Sequence, residues 1–194
     1  LSVGEVLSAT PMVHALKKNF PDTPLIFSVT TYTGYQIATA RFQPSVKAVF
    51  YFPFDVTFSV RRIAAAADPG LVIIVETDLW PNFLYEMKRQ EIPTLLINAR
   101  MSAKSFRGYR WLRFFMTSVL GNFSHICTQS EEDLEKFLKL GVSLKNVTVT
   151  GNIKFDQTRG SKYPPDIADL KQRLAIQPGR PILLAGSTHE GEEG

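Results

Sequence analysis

The sequence predicts an α/β protein, built as a Rossmann-like parallel β-sheet with helices on both faces. Short apolar runs alternate along the chain with longer amphipathic runs, and this alternation is typical of parallel sheets. The short runs are apolar throughout, as are strands that are buried on both faces. Polar residues follow nearly every short run, which suits a sheet whose ligands bind at the carboxyl ends of its strands.

The short apolar runs are the predicted strands, and the amphipathic runs are the predicted helices. We expect strands at residues 25–30, 46–52, 71–75, 94–97, 125–128, 147–149 and 182–185. We expect helices at residues 11–19, 56–67, 81–89, 105–120, 130–140 and 167–174. The stretches that follow the strands read "TTYTG", "FPFD", "ETDLWPN", "NARMS", "TQSEED", "TGNIKF" and "GSTHEGE". Because parallel strands end at one edge of a sheet, the candidate chemistry is concentrated along that edge.

The composition indicates a globular protein with a mildly basic surface. Of the 194 residues, 44% are hydrophobic and 21% are charged, which is enough apolar material for a normal core. The net charge of +4 suits a phosphate, a nucleotide or a membrane surface, and does not choose among them. The single cysteine, Cys127, excludes a disulfide framework and fits a reducing, cytoplasmic setting. No apolar run approaches the roughly 18 residues of a membrane-spanning helix.

The chain divides at a polar stretch rich in proline and glycine, "DQTRGSKYPPD". We expect residues 1–156 to form one domain, residues 157–166 to form a linker, and residues 167–194 to begin a second domain. The sequence starts without a methionine on a motif-like segment and stops soon after "STHEGEE". We interpret it as a fragment that is truncated at both ends.

The opening segment, "LSVGEV", has two interpretations. Ser2 and Glu5 have the spacing of a capping box, in which each side chain bonds the other residue's backbone N–H. Alternatively, Glu5 faces a cleft from a strand-to-helix turn and acts as a general base. Gly4 would then let a ligand approach the backbone closely.

The closing segment, "GSTHEGEE", has the same form. Ser187 and Glu190 can cap the start of a helix. Together with Thr188, Ser187 also offers a hydroxyl and backbone N–H groups where a helix N-terminus favours phosphate. His189 is either a ligand contact or an ordinary polar surface residue.

A carboxylate and an ammonium group follow two of the predicted strands. Glu76 directly follows the apolar run "VIIV" and is the first residue of "ETDLWPN". A role as a helix cap would explain Asp78 in this motif better than it explains Glu76. Lys154 follows the strand at 147–149. It is either a solvated surface lysine or a point charge for a leaving phosphate or a substrate carboxylate.

The segment "KSFRGYRWLRFFM" combines basic and aromatic residues. Arg107, Arg110 and Arg113, preceded by Lys104, recur at three-residue spacing and so lie near one face of a helix. Interleaved aromatic residues allow contact with a membrane interface or a phosphorylated lipid. The alternative is a core helix with a basic, solvated side.

No metal, cofactor or nucleic-acid site is predicted. His14, His125 and His189 are scattered, and the sequence has neither a Cys/His cluster nor a glycine-rich nucleotide motif. No recognised nucleic-acid-binding module accompanies the basic segment. We therefore expect no metal, no cofactor and no nucleic-acid partner.

Taken together, six motifs resemble one family. In chain order they are "SVGE", "ETDLWPN", "NARMSAKSFRGYR", "QSEEDLEKF", "VTVTGNIKFD" and "STHEGEE". The ordered set resembles the transferases of 3-deoxy-D-manno-octulosonic acid (Kdo) in lipopolysaccharide synthesis, over essentially the whole chain. The resemblance implies a GT-B fold, in which two Rossmann-like domains face each other across a cleft. This chain would hold nearly all of the N-terminal, acceptor-binding domain and the start of the donor-binding domain.

The resemblance also implies an activity. The family inverts the sugar centre as it moves Kdo from CMP-Kdo to a hydroxyl of the lipid A precursor, at the cytoplasmic face of the bacterial inner membrane. Its members usually carry an N-terminal membrane anchor, and we expect this fragment to be without it. Glu5 matches the family's proton acceptor, and Glu76 and Lys154 match residues that stabilise the transition state. We expect substrate contacts from Gly4, Arg107, Arg110, Ser187, Thr188, His189 and Glu190.

Two rival functions stay open. One is another GT-B nucleotide-sugar enzyme with a different donor, and the other is a non-catalytic Rossmann-like module that binds an anionic lipid or a nucleotide. A second Rossmann-like half with a nucleotide-binding edge after Gly194 would favour an enzyme over the binding module.

Overall fold

The structure is a computed structural model that describes residues 3–155 and 167–174. The chain divides into two compact units, residues 1–159 and residues 160–194. The predicted strand at 182–185 lies outside the described residues, and the predicted domain assignments stay predictions.

The first unit alternates strands with helices. In chain order its elements are α1 (Val3–Asn19), β1 (Ile26–Val29), α2 (Tyr32–Phe42), β2 (Ala48–Tyr51), α3 (Thr57–Ala67), β3 (Val72–Val75), α4 (Pro81–Arg89), β4 (Thr94–Ala99), α5 (Ala103–Trp111), α6 (Arg113–Leu120), β5 (His125–Thr128), α7 (Glu131–Lys139) and β6 (Val147–Val149). Short 3₁₀ turns cover Leu144–Asn146 and Ile153–Phe155. In the second unit, the described helix is α8 (Ile167–Arg173).

All the described strands pair in parallel. β1 pairs with β2, and the other sheet has the order β3-β4-β5-β6. The predicted α/β class with parallel sheets is therefore confirmed. In the four-stranded sheet, the carboxyl ends of β3 to β6 face the same edge, which we call the rim.

Apolar side chains join the two sheets on one face and leave a cavity between them. Val6 and Ala9 of α1 share a core cluster with Val29 of β1 and Val75 of β3, so α1 packs across both sheets. A cavity of about 830 Å³ separates the facing edges of β1 and β3. A second cluster lies under α6 and α7 and includes the fully buried Phe137. Buried apolar side chains therefore fill the core next to the part of the rim formed by β4 to β6.

Two helices differ from the sequence prediction because local signals were misleading. Pro11 suggested a helix start, yet α1 already runs from Val3 and carries Pro11 inside. α2 was not predicted; its buried positions, Gly34, Ala38 and Phe42, recur every four residues but include two small side chains. Such a narrow stripe has little hydrophobic signal.

The predicted helix at 105–120 is two helices. The chain leaves helical geometry at Leu112, which has φ −98° and ψ 28°, between α5 and α6. α5 has no fully buried residue, whereas Met116, Val119 and Leu120 of α6 are buried. The break lets α6 pack on the core while α5 stays at the surface.

Candidate active site

Glu76 lies at the rim, directly after β3, in a strained conformation. Its backbone N–H donates to the Ile97 carbonyl at 2.9 Å, which continues the β3–β4 ladder by one residue. Its φ of 64° is in the left-handed region, which costs a non-glycine residue about 1–3 kcal/mol. The side chain is only 14% exposed. The fold thus holds a carboxylate at the rim against a local energetic preference, and such outliers cluster at functional sites.

Lys154 lies beside Glu76. It is carried by the 3₁₀ turn Ile153–Phe155 that follows β6. Its Nζ is 3.8 Å from Glu76 Oε1, and about half of the lysine side chain is exposed. The sequence placed these two residues after different strands, and the parallel sheet brings their charges together at one edge. An ion pair with one half-exposed partner and a separation of 3.8 Å contributes little to stability.

Glu5 lies in the first turn of α1. α1 contacts the 3₁₀ turn that carries Lys154. Burial raises the pKa of Asp78 above its ordinary value, and the negative charge of Glu5 raises that pKa further. Glu5 is therefore close enough to influence a carboxyl group two residues beyond Glu76. The elements that carry the three predicted catalytic residues meet at the rim.

Gly4 leaves open space at the start of α1. A Cβ added to it would meet no atom within 4 Å, so packing within the described part of the chain does not require glycine there. The predicted close approach of a ligand stays a prediction. Ser2, the capping partner predicted for Glu5, lies outside the described residues, as do Ser187, Thr188, His189 and Glu190.

The helix cap predicted within "ETDLWPN" is supplied from elsewhere. The N-cap position of α4 is Trp80, which makes no side-chain cap hydrogen bond. Instead, the Asp55 carboxylate accepts from the backbone N–H of Asn82 at 3.1 Å and of Phe83 at 2.8 Å. The interpretation of Asp78 as the cap is therefore wrong, because the Asp55 carboxylate, which lies 27 positions before Asn82, occupies that place. Asp78 instead lines the cavity between the sheets, together with Trp80.

Side chains fasten the loop after β4 to its neighbours. The Arg100 N–H donates to Thr77 Oγ1 at 3.1 Å, and the Thr77 hydroxyl donates to the Arg100 carbonyl. The Met101 N–H donates to Asp133 Oδ1 at 2.8 Å, and Lys136 Nζ donates to the Met101 carbonyl at 2.7 Å. The backbone of the rim is thus held from both sides.

Three amide side chains behind Lys154 were missed by the sequence analysis. Asn98, Gln129 and Asn152 lie at or directly after the carboxyl ends of β4, β5 and β6. They belong to the motifs "NARMS", "TQSEED" and "TGNIKF", whose roles the sequence left open. The available signal was an amide near the exit of three consecutive strands.

Exposed aromatic and basic residues form a second feature, which we call the basic-aromatic surface. It comprises exposed side chains of α5 and α6: Lys104, Arg107, Arg110, Trp111, Arg113, Phe114 and Phe115. Trp111 is 86% exposed and Phe114 is 97% exposed. Phe106 and Tyr109 are half-buried against the core. Phe106 and Tyr109 thus fit the interpretation as a helix packed on the core, whereas contact of the exposed aromatic residues with a membrane stays a prediction. Clustered exposure of large apolar side chains marks an interaction surface.

The described residues contain neither a candidate metal site nor a helix that could span a membrane. In residues 3–155 and 167–174, no group of three or more His, Cys, Asp and Glu side chains could hold a metal ion. No helix in the same ranges is both long and apolar enough to cross a bilayer.

Comparison with known proteins connects this geometry to a family. A family model described as 3-deoxy-D-manno-octulosonic-acid transferase (kdotransferase) matches residues 1–157. The 3-deoxy-D-manno-octulosonic acid transferase of Haemophilus influenzae is 34% identical over 192 residues, which are 99% of this chain and 44% of the relative. The Rickettsia felis transferase of the same name is 33% identical, over 99% of this chain and 40% of its own length.

A solved structure shows the same fold. An S. aureus MnaA–UDP complex superimposes with a TM-score of 0.61 at 14% identity, over 87% of this chain and 48% of that chain. The predicted GT-B-type α/β fold class is confirmed. This chain spans less than half the length of the two transferases. On the strength of the family model and these relatives, the chain belongs to the 3-deoxy-D-manno-octulosonic acid transferase family of glycosyltransferases.

Proposed function

We propose that the intact protein is an inverting glycosyltransferase that moves Kdo from CMP-Kdo to a hydroxyl of the lipid A precursor. The observation that carries the proposal is the rim, where Glu76 lies 3.8 Å from Lys154 and α1 brings Glu5 to the same edge. Membership of the family identifies Kdo as the sugar. The charges of Glu5, Glu76 and Lys154 suit the chemistry of its transfer.

Glu5 acts as the general base. Its carboxylate takes the proton of the acceptor hydroxyl as that oxygen bonds to the anomeric carbon of Kdo, on the face opposite the phosphate. The bond between that carbon and the phosphate oxygen breaks, and its electron pair leaves with CMP. Attack from the opposite face inverts the anomeric centre. The start of α1 suits this role because it lies at the rim and Gly4 leaves open space beside it.

Glu76 and Lys154 stabilise opposite charges that develop in this step. Positive charge grows on the sugar ring as the phosphate departs, and a fixed carboxylate at Glu76 offsets it. Negative charge grows on the phosphate, and the Lys154 ammonium offsets that. The two groups are already neighbours before substrate binds, with Lys154 Nζ 3.8 Å from Glu76 Oε1. No metal and no cofactor besides the donor takes part in this proposal.

The basic-aromatic surface holds the protein at the membrane that contains the acceptor. Arg107, Arg110 and Arg113 attract anionic headgroups, and Trp111 and Phe114 insert at the interface. α5 begins at Ala103, just after β4 ends at the rim. The start of α5 near the rim supports our proposal that a lipid-borne hydroxyl reaches Glu5 while the protein is on the membrane. The proposed location is the cytoplasmic face of the inner membrane. We also propose that Ser187 to Glu190 bind CMP.

A transfer assay on the intact protein tests the function. Purified enzyme in detergent receives CMP-Kdo and a lipid A precursor, and the product is followed by mass spectrometry. We expect acceptor-dependent release of CMP and a lipid that gains Kdo, with the inverted anomeric configuration by NMR. Release of CMP without transfer, or no consumption of CMP-Kdo, would contradict the proposal.

A further inference from the structure

The three amide side chains behind the rim form one hydrogen-bonded relay. Gln129 Nε2 donates to the Asn98 backbone carbonyl at 3.0 Å. Asn152 Nδ2 donates to Gln129 Oε1 at 3.2 Å. Asn152 Oδ1 then accepts from the backbone N–H of Lys154 at 2.9 Å. The relay thus runs from β4 across the end of β5 to the turn that carries Lys154.

A direct contact from Asn98 closes the relay. The Asn98 Oδ1 atom accepts from the backbone N–H of Ile153 at 3.1 Å. Two consecutive N–H groups of the turn, those of Ile153 and Lys154, are therefore held by side-chain oxygens of two different amides. This arrangement fixes the backbone of the turn relative to β4.

A β-bulge makes the contact possible. The β4–β5 register pairs Leu96 with Ile126 but Ala99 with Thr128, so β4 has one extra residue in this interval. Asn98 lies in that interval with φ 55°, and its side chain is buried. Bulges re-aim a side chain locally, and asparagine tolerates the left-handed conformation better than most residues. On the other side of β4, Val75 pairs with Ile97, so the next pair in register is Glu76 and Asn98.

The same short stretch of the β3–β4 pair therefore positions both charges. Glu76 takes its left-handed conformation beside the bulge, while Asn98 anchors the turn that brings Lys154 to Glu76. The Lys154 side chain is half-exposed, with four rotatable bonds and one 3.8 Å charge contact. Such a side chain loses considerable rotamer freedom when it is fixed. A rigid backbone beneath it restricts the ammonium to a smaller volume near Glu76.

We infer that Asn98, Gln129 and Asn152 are positioning residues that hold Lys154 beside Glu76. None of these four hydrogen bonds reaches the Glu76 carboxylate or the Lys154 ammonium, so the three residues act through the backbone of the turn. The inference rests on the proposed function, in which Lys154 stabilises the departing phosphate.

Asn152→Ala in the intact enzyme is the main test, because Asn152 is only partly buried and its loss leaves the sheet in place. The variant loses both the acceptor for the Lys154 N–H and the donor to Gln129. We expect kcat to fall about 10-fold to 100-fold, as small misplacements of catalytic groups do, with little change in KM for either substrate. Asn152→Asp keeps the acceptor and should recover part of kcat. Asn122→Ala removes an amide that follows α6 and donates to the Ser118 carbonyl of that helix, and it should leave kcat unchanged.

A double-mutant cycle with Lys154→Gln separates positioning from a general structural effect. If Asn152 acts through Lys154, its replacement should cost little once Lys154 is already Gln. Independent, multiplicative losses would overturn the inference. An inactive wild-type enzyme would instead refute the proposed function, so the two failures are distinguishable.

Amide hydrogen exchange in the 194-residue chain gives a second readout. Asn152→Ala should accelerate exchange at Lys154 while Val147 to Val149 keep their protection, because only the turn loses its acceptor. Unchanged exchange at Lys154 would overturn the inference even if activity fell.

Discussion

The rim and the basic-aromatic surface place charge at the protein surface in opposite ways. At the rim, Glu76 is mostly buried in a strained conformation, and hydrogen bonds fix the backbone that carries Lys154. On the basic-aromatic surface, Arg107, Arg110 and Phe114 are exposed on helices that meet at a break. Chemistry needs charges at fixed positions, whereas attraction to a lipid surface needs only their number and proximity. Single substitutions should therefore matter at the rim, and several together should be needed on the basic-aromatic surface.

The general base gives the sharpest test of a fixed position. Glu5→Gln keeps the shape of the side chain but cannot accept the proton at neutral pH. In the full-length enzyme, we expect turnover to fall by about 10²–10⁴-fold, the usual contribution of general base catalysis. Thermal stability should hardly change, because glutamine also serves at the N3 position of a capping box, the third residue of the helix.

The comparison with Glu5→Ala guards against a purely structural explanation. Alanine removes any capping role as well as the base, and the loss of a cap costs about 0.5–2 kcal/mol. If Glu5→Gln turns over within a few-fold of wild type, the carboxylate is no base, and Glu76 becomes the next candidate.

The strained carboxylate has a matched control in the same chain. Glu76→Gln should lower kcat by about 10²-fold, near the lower end for removal of one preorganised electrostatic group. Glu91 is also a glutamate with a left-handed φ, 58°, but it is exposed just after α4. Glu91→Gln should leave kcat unchanged. Equal effects of the two substitutions would show that the charge of Glu76 at the rim has no special role in turnover.

The basic-aromatic surface should respond to combined rather than single substitutions. Each arginine near an anionic membrane contributes about 1 kcal/mol, so replacing Arg107, Arg110 and Arg113 together with Gln should weaken vesicle binding by up to roughly 100-fold at low salt. The effect should shrink as salt increases. Co-sedimentation of the intact protein with phosphatidylserine-containing vesicles measures it.

A control of equal charge tests whether position matters on that surface. Arg41, Lys47 and Arg62 are exposed on other elements, and their replacement with Gln removes the same net charge. That triple variant should bind vesicles nearly as well as wild type. If the two triple variants lose binding equally, overall charge and not the basic-aromatic surface attracts the protein to lipid.

The sequence predicted the rim but not what holds it together. Glu76 directly follows a run of apolar residues and Lys154 lies in the loop after another, and a parallel sheet brings the ends of such strands to one edge. The relay through Asn98 depends on a one-residue bulge in β4, which leaves the apolar pattern of the strand unchanged. The Asp55 cap on α4 joins positions far apart in sequence. Local patterns therefore predict where the charges go, and long-range contacts decide how firmly they are held.

A buried carboxylate held by two arginines should affect stability alone. Glu86 is fully buried in α4 and accepts from Arg61 Nη2 and Arg89 Nε, each at 2.9 Å. The hydrogen bond from Arg61 lowers the pKa of Glu86 below its ordinary value, and Arg89 lowers it further. A carboxylate with a lowered folded-state pKa stabilises the protein above its unfolded pKa, and this stabilisation is lost as the pH falls through the folded-state value.

Glu86→Gln should therefore lower Tm at pH 7, and the difference from wild type should narrow below about pH 4, near the ordinary glutamate pKa. Thermal unfolding followed by circular dichroism at several pH values measures this. Turnover and vesicle binding at 25 °C should stay unchanged, since the hydrogen-bond partners of Glu86, Arg61 and Arg89, belong to neither the rim nor the basic-aromatic surface. If the Tm of the two proteins changes in parallel across this pH range, the ionisation of Glu86 does not set the acid sensitivity of the fold.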